Sequence, residues 1–359
     1  MRSLSGLRVL SLIVGMTALP AIPSFADDEV QLLPDGMLNQ ISKEMTEPGK
    51  FKKPPPWNIG MSFVGVGNTW IIQMIAETKY EVAHTPNIKS LDFTEADFKP
   101  AKQIADIEDL LARKVDALIV APLAMPLVKP EVDKALAAGI PVINFGWSKG
   151  ALPSTVEIMG AGGPFGEIGG KWLRDKLKGK GTIWVLRGVA GVQEETDRYE
   201  GLKKALEGSE IKIGAEVFGD WNYAKGKQLC ENLVLSGQPV DGIWSSGAEM
   251  TRACIDVFKA AGKKLVPMTG EGNNGYFRAW KESGLESVSP VFTPQLGPAN
   301  IRAAVALLEG KSLHKTYFSA PPPITNANLD KYYRPDLNDA YWVPSGLPED
   351  ELKKMFGAK

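Results

Sequence analysis

Gly65 and Gly67 lie in SFVGVGNTWIIQM (62–74), between an apolar run and a helix-like run, where many enzymes cradle the pyrophosphate of a dinucleotide. That chemistry needs a third glycine three residues further on, so that helix and strand pack closely. Trp70 holds that position, and a bulky indole argues against the packing. No G-x-x-x-x-G-K-[ST] phosphate loop occurs. A second turn, GVAGVQEET (188–196), lacks the lysine and presents Glu194 and Glu195, which repel phosphate. His84 and His314 are the only histidines, neither at metal-ligating spacing, and no G-x-S-x-G elbow supplies a nucleophilic serine. Both histidines read as solvated. Glu194 and Glu195 face different ways on a helix and read as solvated charge at its N-terminus. The expectation is a chain with no catalytic residue, no cofactor and no metal site.

Binding chemistry is better represented. In open α/β sheets, ligands bind beyond the carboxyl ends of the strands. Gly67-Asn68-Thr69-Trp70, Gly146-Trp147, Trp221-Asn222, Gly247-Ala248-Glu249 and Glu271-Gly272-Asn273-Asn274 fall at such ends, and Arg198 lies in the first helix of the second half. The candidate ligand-binding residues are therefore Asn68, Trp70, Trp147, Arg198, Trp221, Gly247, Glu249, Glu271 and Asn273. Indole faces cover the C–H faces of a small polar ligand, while amides and charges bind its hydroxyls. That set suits a sugar or polyol. Trp184 and Trp244 lie inside strands and read as core.

The elements that must position these residues follow a regular rhythm. NIGMSFV (58–64), IKSLDF (88–93), DALIVAP (116–122) and PVINF (141–145) read as strands. Ile104, Ile107, Leu110 and Leu111 share one helical face between the second and third, and Val128, Val132, Ala135 and Leu136 do so before the fourth. The pattern restarts with strands TIWVLRG (182–188), AEVFG (215–219), GIWSS (242–246) and KLVPMT (264–269), with helices over 194–207, 224–236 and 248–261. Strands alternating with helices imply parallel sheets with right-handed crossovers. Two series of similar spacing predict two similar α/β lobes.

Composition bounds the rest. The 44% hydrophobic content suits packed cores, and a net charge of −1 points to neither nucleic acid nor a membrane surface. MRSLSGLR with Arg2 and Arg8, the apolar stretch Val9–Ile22 and Ser24-Phe25-Ala26 have the three parts of a secretory signal peptide, with cleavage expected after Ala26. The apolar run is shorter than the ~20 residues that span a bilayer, and no cysteine follows it to take a lipid. Residues 27–56 end in Lys52-Lys53-Pro54-Pro55-Pro56 and read as an extended arm, partly disordered before the core begins. Cys230 and Cys254, on neighbouring predicted helices of one lobe, suit either one disulfide or two buried thiols.

In AKQIADIEDLLARKVDALIVAP (101–122), AAGIPVINF (137–145), GVAGVQEETDRYEGLKKAL (188–206) and AEMTRACIDVFKAAGK (248–263), the chain resembles the periplasmic substrate-binding proteins of the ribose-binding type. The likeness covers roughly residues 57–335. It implies two Rossmann-like parallel-sheet lobes joined by a three-crossing hinge, a periplasmic monomer, and a small-molecule ligand delivered to an ABC importer permease. A sensory partner of a membrane histidine kinase, responding to an osmolyte or signal molecule, is built on the same fold. The lobes implied are 57–162 plus 293–320 and 163–292, with 321–359 as the second lobe's end and tail. The family's first-loop asparagine and aromatic fall on Asn68 and Trp70, its arginine on Arg198, its second-lobe aromatic on Trp221 and its carboxylate on Glu271. Its Asp-Arg after the fourth strand is replaced by Gly146-Trp147, and an asparagine by Gly247, so a ligand smaller, less hydroxylated or differently oriented than ribose is implied. Within the tail, PEDELKKMF suits a short helix.

Overall fold

The structure, a computed structural model, describes residues 30–37, 40–146 and 152–358. Strands β1 (Gln40–Ile41), β2 (Trp57–Phe63), β3 (Ile88–Glu95), β4 (Ala117–Ala121), β5 (Val142–Gly146) and β6 (Val156–Met159) belong to one sheet. Strands β7 (Lys180–Arg187), β8 (Glu210–Phe218), β9 (Gly242–Ser245), β10 (Met268–Thr269) and β11 (Ser287–Ser289) belong to another. The chain then returns to the first sheet as β12 (Thr316–Phe318) and to the second as β13 (Ile324–Thr325). The orders are β1-β12-β6-β5-β4-β2-β3 and β13-β11-β10-β9-β7-β8, parallel except for β1 and β13 at the edges. The helices are α1 (Thr69–His84), α2 (Pro100–Ala112), α3 (Met125–Ala137), α4 (Gly162–Lys176), α5 (Gln193–Leu206), α6 (Tyr223–Leu235), α7 (Ala248–Ala260), α8 (Asn274–Ser283), α9 (Leu296–Glu309) and α10 (Glu349–Phe356). The architecture is two parallel-sheet α/β lobes.

Central strands covered on both faces need continuous apolar side chains. ALIVA of β4 is buried at every position. Asn68 starts α1 by accepting the Ile71 N–H at 3.1 Å, and Asn222 and Asn273 cap α6 and α8 in the same way. Gly310, at φ +88°, ends α9, whose Ile301, Ala304 and Leu308 are fully buried. In the second lobe, α4 lies against α5 with no room for a side chain at Gly166, where a Cβ would fall on the Arg198 carbonyl. That contact fixes the turn of α5 that carries Arg198. Trp184 and Trp244 are core, at 1% and 0% exposure.

Several expectations change. Residues 264–267 do not join the fourth strand of the second lobe, which is only Met268–Thr269; Pro267 has no N–H to donate to a ladder. The strand expected at 215–219 already starts at Glu210. Four short strands, β6, β11, β12 and β13, carry no periodicity that sequence can show. Nor is the arm loose where it is described: Leu32 and Leu33 are buried, β1 pairs with β12, and the Lys53 N–H donates to the Leu308 carbonyl at 2.9 Å. Cys230 and Cys254 form a disulfide between α6 and α7, with Cα atoms 5.4 Å apart. His84 is exposed in the last turn of α1, but His314 is half-buried, edge-on to Tyr317, rather than solvated. Among the described residues no helix is long and apolar enough to cross a membrane, and no cluster of metal-ligating side chains occurs.

Candidate functional site

Strand order reverses beside β2 in one sheet and beside β7 in the other, and the loops leaving these strands open a crevice between the lobes. The cleft there encloses about 570 Å³, its solvent-open part included. From the first lobe, Asn68, Trp70 and Phe98 line it, and from the second Glu194, Arg198, Trp221, Gly247, Glu249 and Glu271 do so. Phe292, between β11 and α9, and Trp342 in the C-terminal segment complete the walls. The lobes also meet directly. Thr69 Oγ1 donates to Glu249 Oε1 at 2.7 Å, and the Gln193 N–H donates to the Leu123 carbonyl at 3.3 Å.

The turn after β2 has a purpose other than phosphate. A Cβ on Gly65 would come within 2.8 Å of the Phe98 ring. The glycine lets that ring, held by a left-handed backbone at φ +55°, fold over the turn and wall the cleft.

Arg198 is the centre of the site. It is 3% exposed, donates from Nε to Glu194 Oε1 at 2.7 Å, from Nη1 to the Ser246 carbonyl at 2.5 Å and from Nη2 to Glu271 Oε1 at 3.2 Å. Its guanidinium lies 3.8 Å from the centre of the Phe165 ring. A guanidinium has five N–H groups, and these three bonds leave two for a ligand. Glu194 and Glu195 are not solvated as expected: both are buried, Glu194 against Arg198 and Glu195 against Arg187 at 2.6 Å. The i, i+4 spacing of Glu194 and Arg198 places them on one face of α5.

Burial raises three carboxylates. Glu194 is pushed up to about 7, against the pull of Arg198, and Glu271 and Glu249 are raised for the same first cause. Glu194 Oε2 accepts no hydrogen bond from the described residues. Between the ordinary 4.5 and about 7, the folded chain keeps a proton that the unfolded chain has lost. Stability therefore falls as pH rises through that window. In urea melts at a series of pH values, Glu194→Gln should flatten this part of the curve, and an unchanged slope would contradict the assignment.

The three indoles described in the cleft lining are each locked by their N–H. Trp70 Nε1 donates to the Phe292 carbonyl at 2.8 Å, Trp221 Nε1 to Ser246 Oγ at 2.8 Å, and Trp342 Nε1 to Thr69 Oγ1 at 2.8 Å. Only ring faces and edges remain for a ligand. Trp221 stands on a left-handed backbone at φ +52°, with its ring over Gly247, where a Cβ would lie 2.6 Å from Cδ1. Gly247 thus makes the seat for Trp221. Gly247→Asn should unseat the ring, break its Ser246 bonds and weaken ligand affinity about fivefold, since a hydrogen bond is worth about 1 kcal/mol. Calorimetric titration checks this, and unchanged affinity would show that Trp221 does not depend on the glycine.

Not every candidate reaches the cleft. Asn273 caps α8 with Oδ1 and donates from Nδ2 to the Asp339 carbonyl at 2.9 Å, so its amide is used in anchoring the C-terminal segment rather than facing a ligand. Asn68 uses Oδ1 as a cap, which leaves its NH2. Trp147 lies outside the described residues. Sequence reading missed Trp342 and Glu194. The second had a signal in its spacing to Arg198, and the first had none.

A family model described as periplasmic binding protein domain matches residues 59–312. The ribose import binding protein of Haemophilus influenzae is 30% identical over 217 residues, 60% of this chain and 73% of that one. The ribose import binding protein of Bacillus subtilis is 25% identical over 284 residues, 77% of this chain and 91% of that one. Among solved structures, the periplasmic binding protein of the arabinose ABC transporter from Shewanella sp. ANA-3, bound to L-arabinofuranose, superposes with a TM-score of 0.68 at 26% identity, over 76% of this chain and 93% of that one. With two parallel-sheet lobes, a cleft at their switch points and a family match across most of the chain, this protein belongs to the periplasmic binding protein domain family, in its ribose-binding type, and is a binding protein rather than an enzyme.

Proposed function

We propose that this chain captures a small, neutral, hydroxylated ligand, a sugar or polyol, and delivers it to an ABC importer in the cell envelope. The observation that carries the ligand class is a cleft lined by both Arg198 and three indoles, Trp70, Trp221 and Trp342. Among the described residues the cleft lining holds one cation, Arg198, and three carboxylates, Glu194, Glu249 and Glu271. An anion has no uncompensated positive charge to meet. The two remaining guanidinium N–H groups need acceptors, which ligand hydroxyl oxygens supply and a quaternary ammonium does not. The carboxylates accept ligand hydroxyl protons, and the indole faces cover its C–H surface.

The relatives named for ribose and arabinofuranose bring the same ligand class. Capture would proceed by hinge closure, the lobes meeting over the ligand and excluding water. Residues 1–26 would be the cleaved export signal, so sequencing of the exported protein should begin at Asp27. The function is tested by a thermal-shift screen of neutral sugars and polyols against glycine betaine and sugar acids. A ligand at ~100 times its Kd stabilises by about 2.7 kcal/mol, a shift of several degrees. Neutral hits are expected, and a response confined to the charged compounds would overturn the reading.

A further inference from the structure

The family model ends at residue 312, yet one wall of the cleft comes from residue 342. The segment that supplies it is pinned to both lobes. On the second lobe, the Val343 N–H donates to the Gly272 carbonyl at 2.7 Å, the Asn274 N–H to the Tyr341 carbonyl at 2.8 Å, and Asp339 pairs with Arg278 at 3.0 Å and Arg252 at 3.1 Å. On the first lobe, Gln73 takes both backbone groups of Trp342, accepting its N–H at 2.8 Å and donating to its carbonyl at 2.9 Å. Glu77 then accepts from Ser345 Oγ at 2.7 Å. Gln73 and Glu77 are both buried on α1 and hydrogen-bond each other at 2.9 Å. One turn of the first lobe's first helix is thus built to hold a chain segment that the other lobe also holds.

What this strap presents to the cleft is an indole. Trp342 is 3% exposed, and its N–H donates to Thr69 Oγ1, which in turn donates to Glu249 Oε1. Its backbone is fixed by two hydrogen bonds to Gln73 and its ring by one to Thr69. A wall held in this way limits the length of ligand that fits between it and Arg198.

From this we infer that Trp342 is a specificity-determining residue, carried by a C-terminal strap across the cleft, that restricts the site to ligands of about one small ring. The inference rests on the sugar or polyol reading above. It is tested by calorimetric titration of wild type, Trp342→Ala, Trp342→Leu and Trp342→Phe with D-ribose, L-arabinose, xylitol, D-galactose and myo-inositol. The expected result is a change of selectivity. The affinity ratio of six-carbon to five-carbon compounds rises about tenfold or more in the Ala and Leu variants, the scale on which a pocket discriminates by size, and stays near wild type in the Phe variant. A merely structural role lowers all affinities by one common factor, and that outcome overturns the inference.

If wild type binds none of the five compounds, the function reading fails for them, and the strap is then judged without ligand. Hydrogen exchange at the Trp342 and Val343 amides should be slow in wild type and fast in Gln73→Ala. Fast exchange in wild type overturns the strap itself.

Discussion

Replacing Arg198 by alanine should cost about 3–5 kcal/mol of stability, the usual consequence of leaving a buried charge without its partner. Here two carboxylates lose the same cation, Glu194 at 2.7 Å and Glu271 at 3.2 Å, and both are buried. The loss should depend on pH in a defined direction. Without the guanidinium, both carboxyls are raised further and can escape the penalty by keeping their protons. The variant should therefore approach wild-type stability near pH 5 and fall furthest below it near pH 8. A triple variant, Arg198→Met with Glu194→Gln and Glu271→Gln, removes the uncompensated charges and should recover much of the stability. On the proposed function it should not recover binding, because the guanidinium N–H groups offered to ligand oxygens are gone, at about 1.5–3 kcal/mol for each charge-assisted bond. Urea melts at pH 5 and pH 8 separate these contributions. Equal losses at both pH values would mean that the carboxylates are not the source of the cost.

Reducing the Cys230–Cys254 disulfide should cost about 3.5 kcal/mol in the chain-entropy account, for a separation of 24 residues. Its place in the site gives this a functional side. Trp221 immediately precedes the Asn222 cap of α6, and Gly247 caps α7, so the bond joins the two helices whose first turns carry Trp221, Gly247 and Glu249. Cys230 and Cys254 are fully buried, so Cys230→Ala with Cys254→Ala leaves no charge behind. The double variant should melt several degrees lower, with a smaller loss of affinity, since the Ser246 bonds of Trp221 remain. Scanning calorimetry with parallel titration checks both. A melting temperature unchanged by the substitution would show that the bond adds nothing to the lobe.

Much of this was legible because it is local. The strand-helix rhythm sets two parallel sheets, and the strand mouths follow from topology, so Trp70, Arg198, Trp221, Gly247, Glu249 and Glu271, which line the cleft, could be named before any coordinate. Asn273 shows the limit of that rule. It stands at a strand mouth, but N-N-G-Y is also a helix start, and the cap took the side chain. Glu194 looked like an exposed first-turn carboxylate, because burial against α4 is not a property of α5's own sequence. Trp342 lies far along the chain in a stretch without helical or strand periodicity, and it is positioned by residues distant in sequence, Gln73 269 residues away among them. The arm was unreadable for the same reason, since β1 needs β12 as its partner.

The most direct test is to purify the protein from its own cells, denature it and weigh what it releases. The proposed function calls for a neutral ligand that accepts from Arg198, donates to carboxylates and offers a C–H face to indoles. The predicted result is a neutral polyhydroxylated compound of one small ring or an equivalent open chain, at close to one per chain. A stoichiometric quaternary amine, or a carboxylated or phosphorylated compound, would contradict the account.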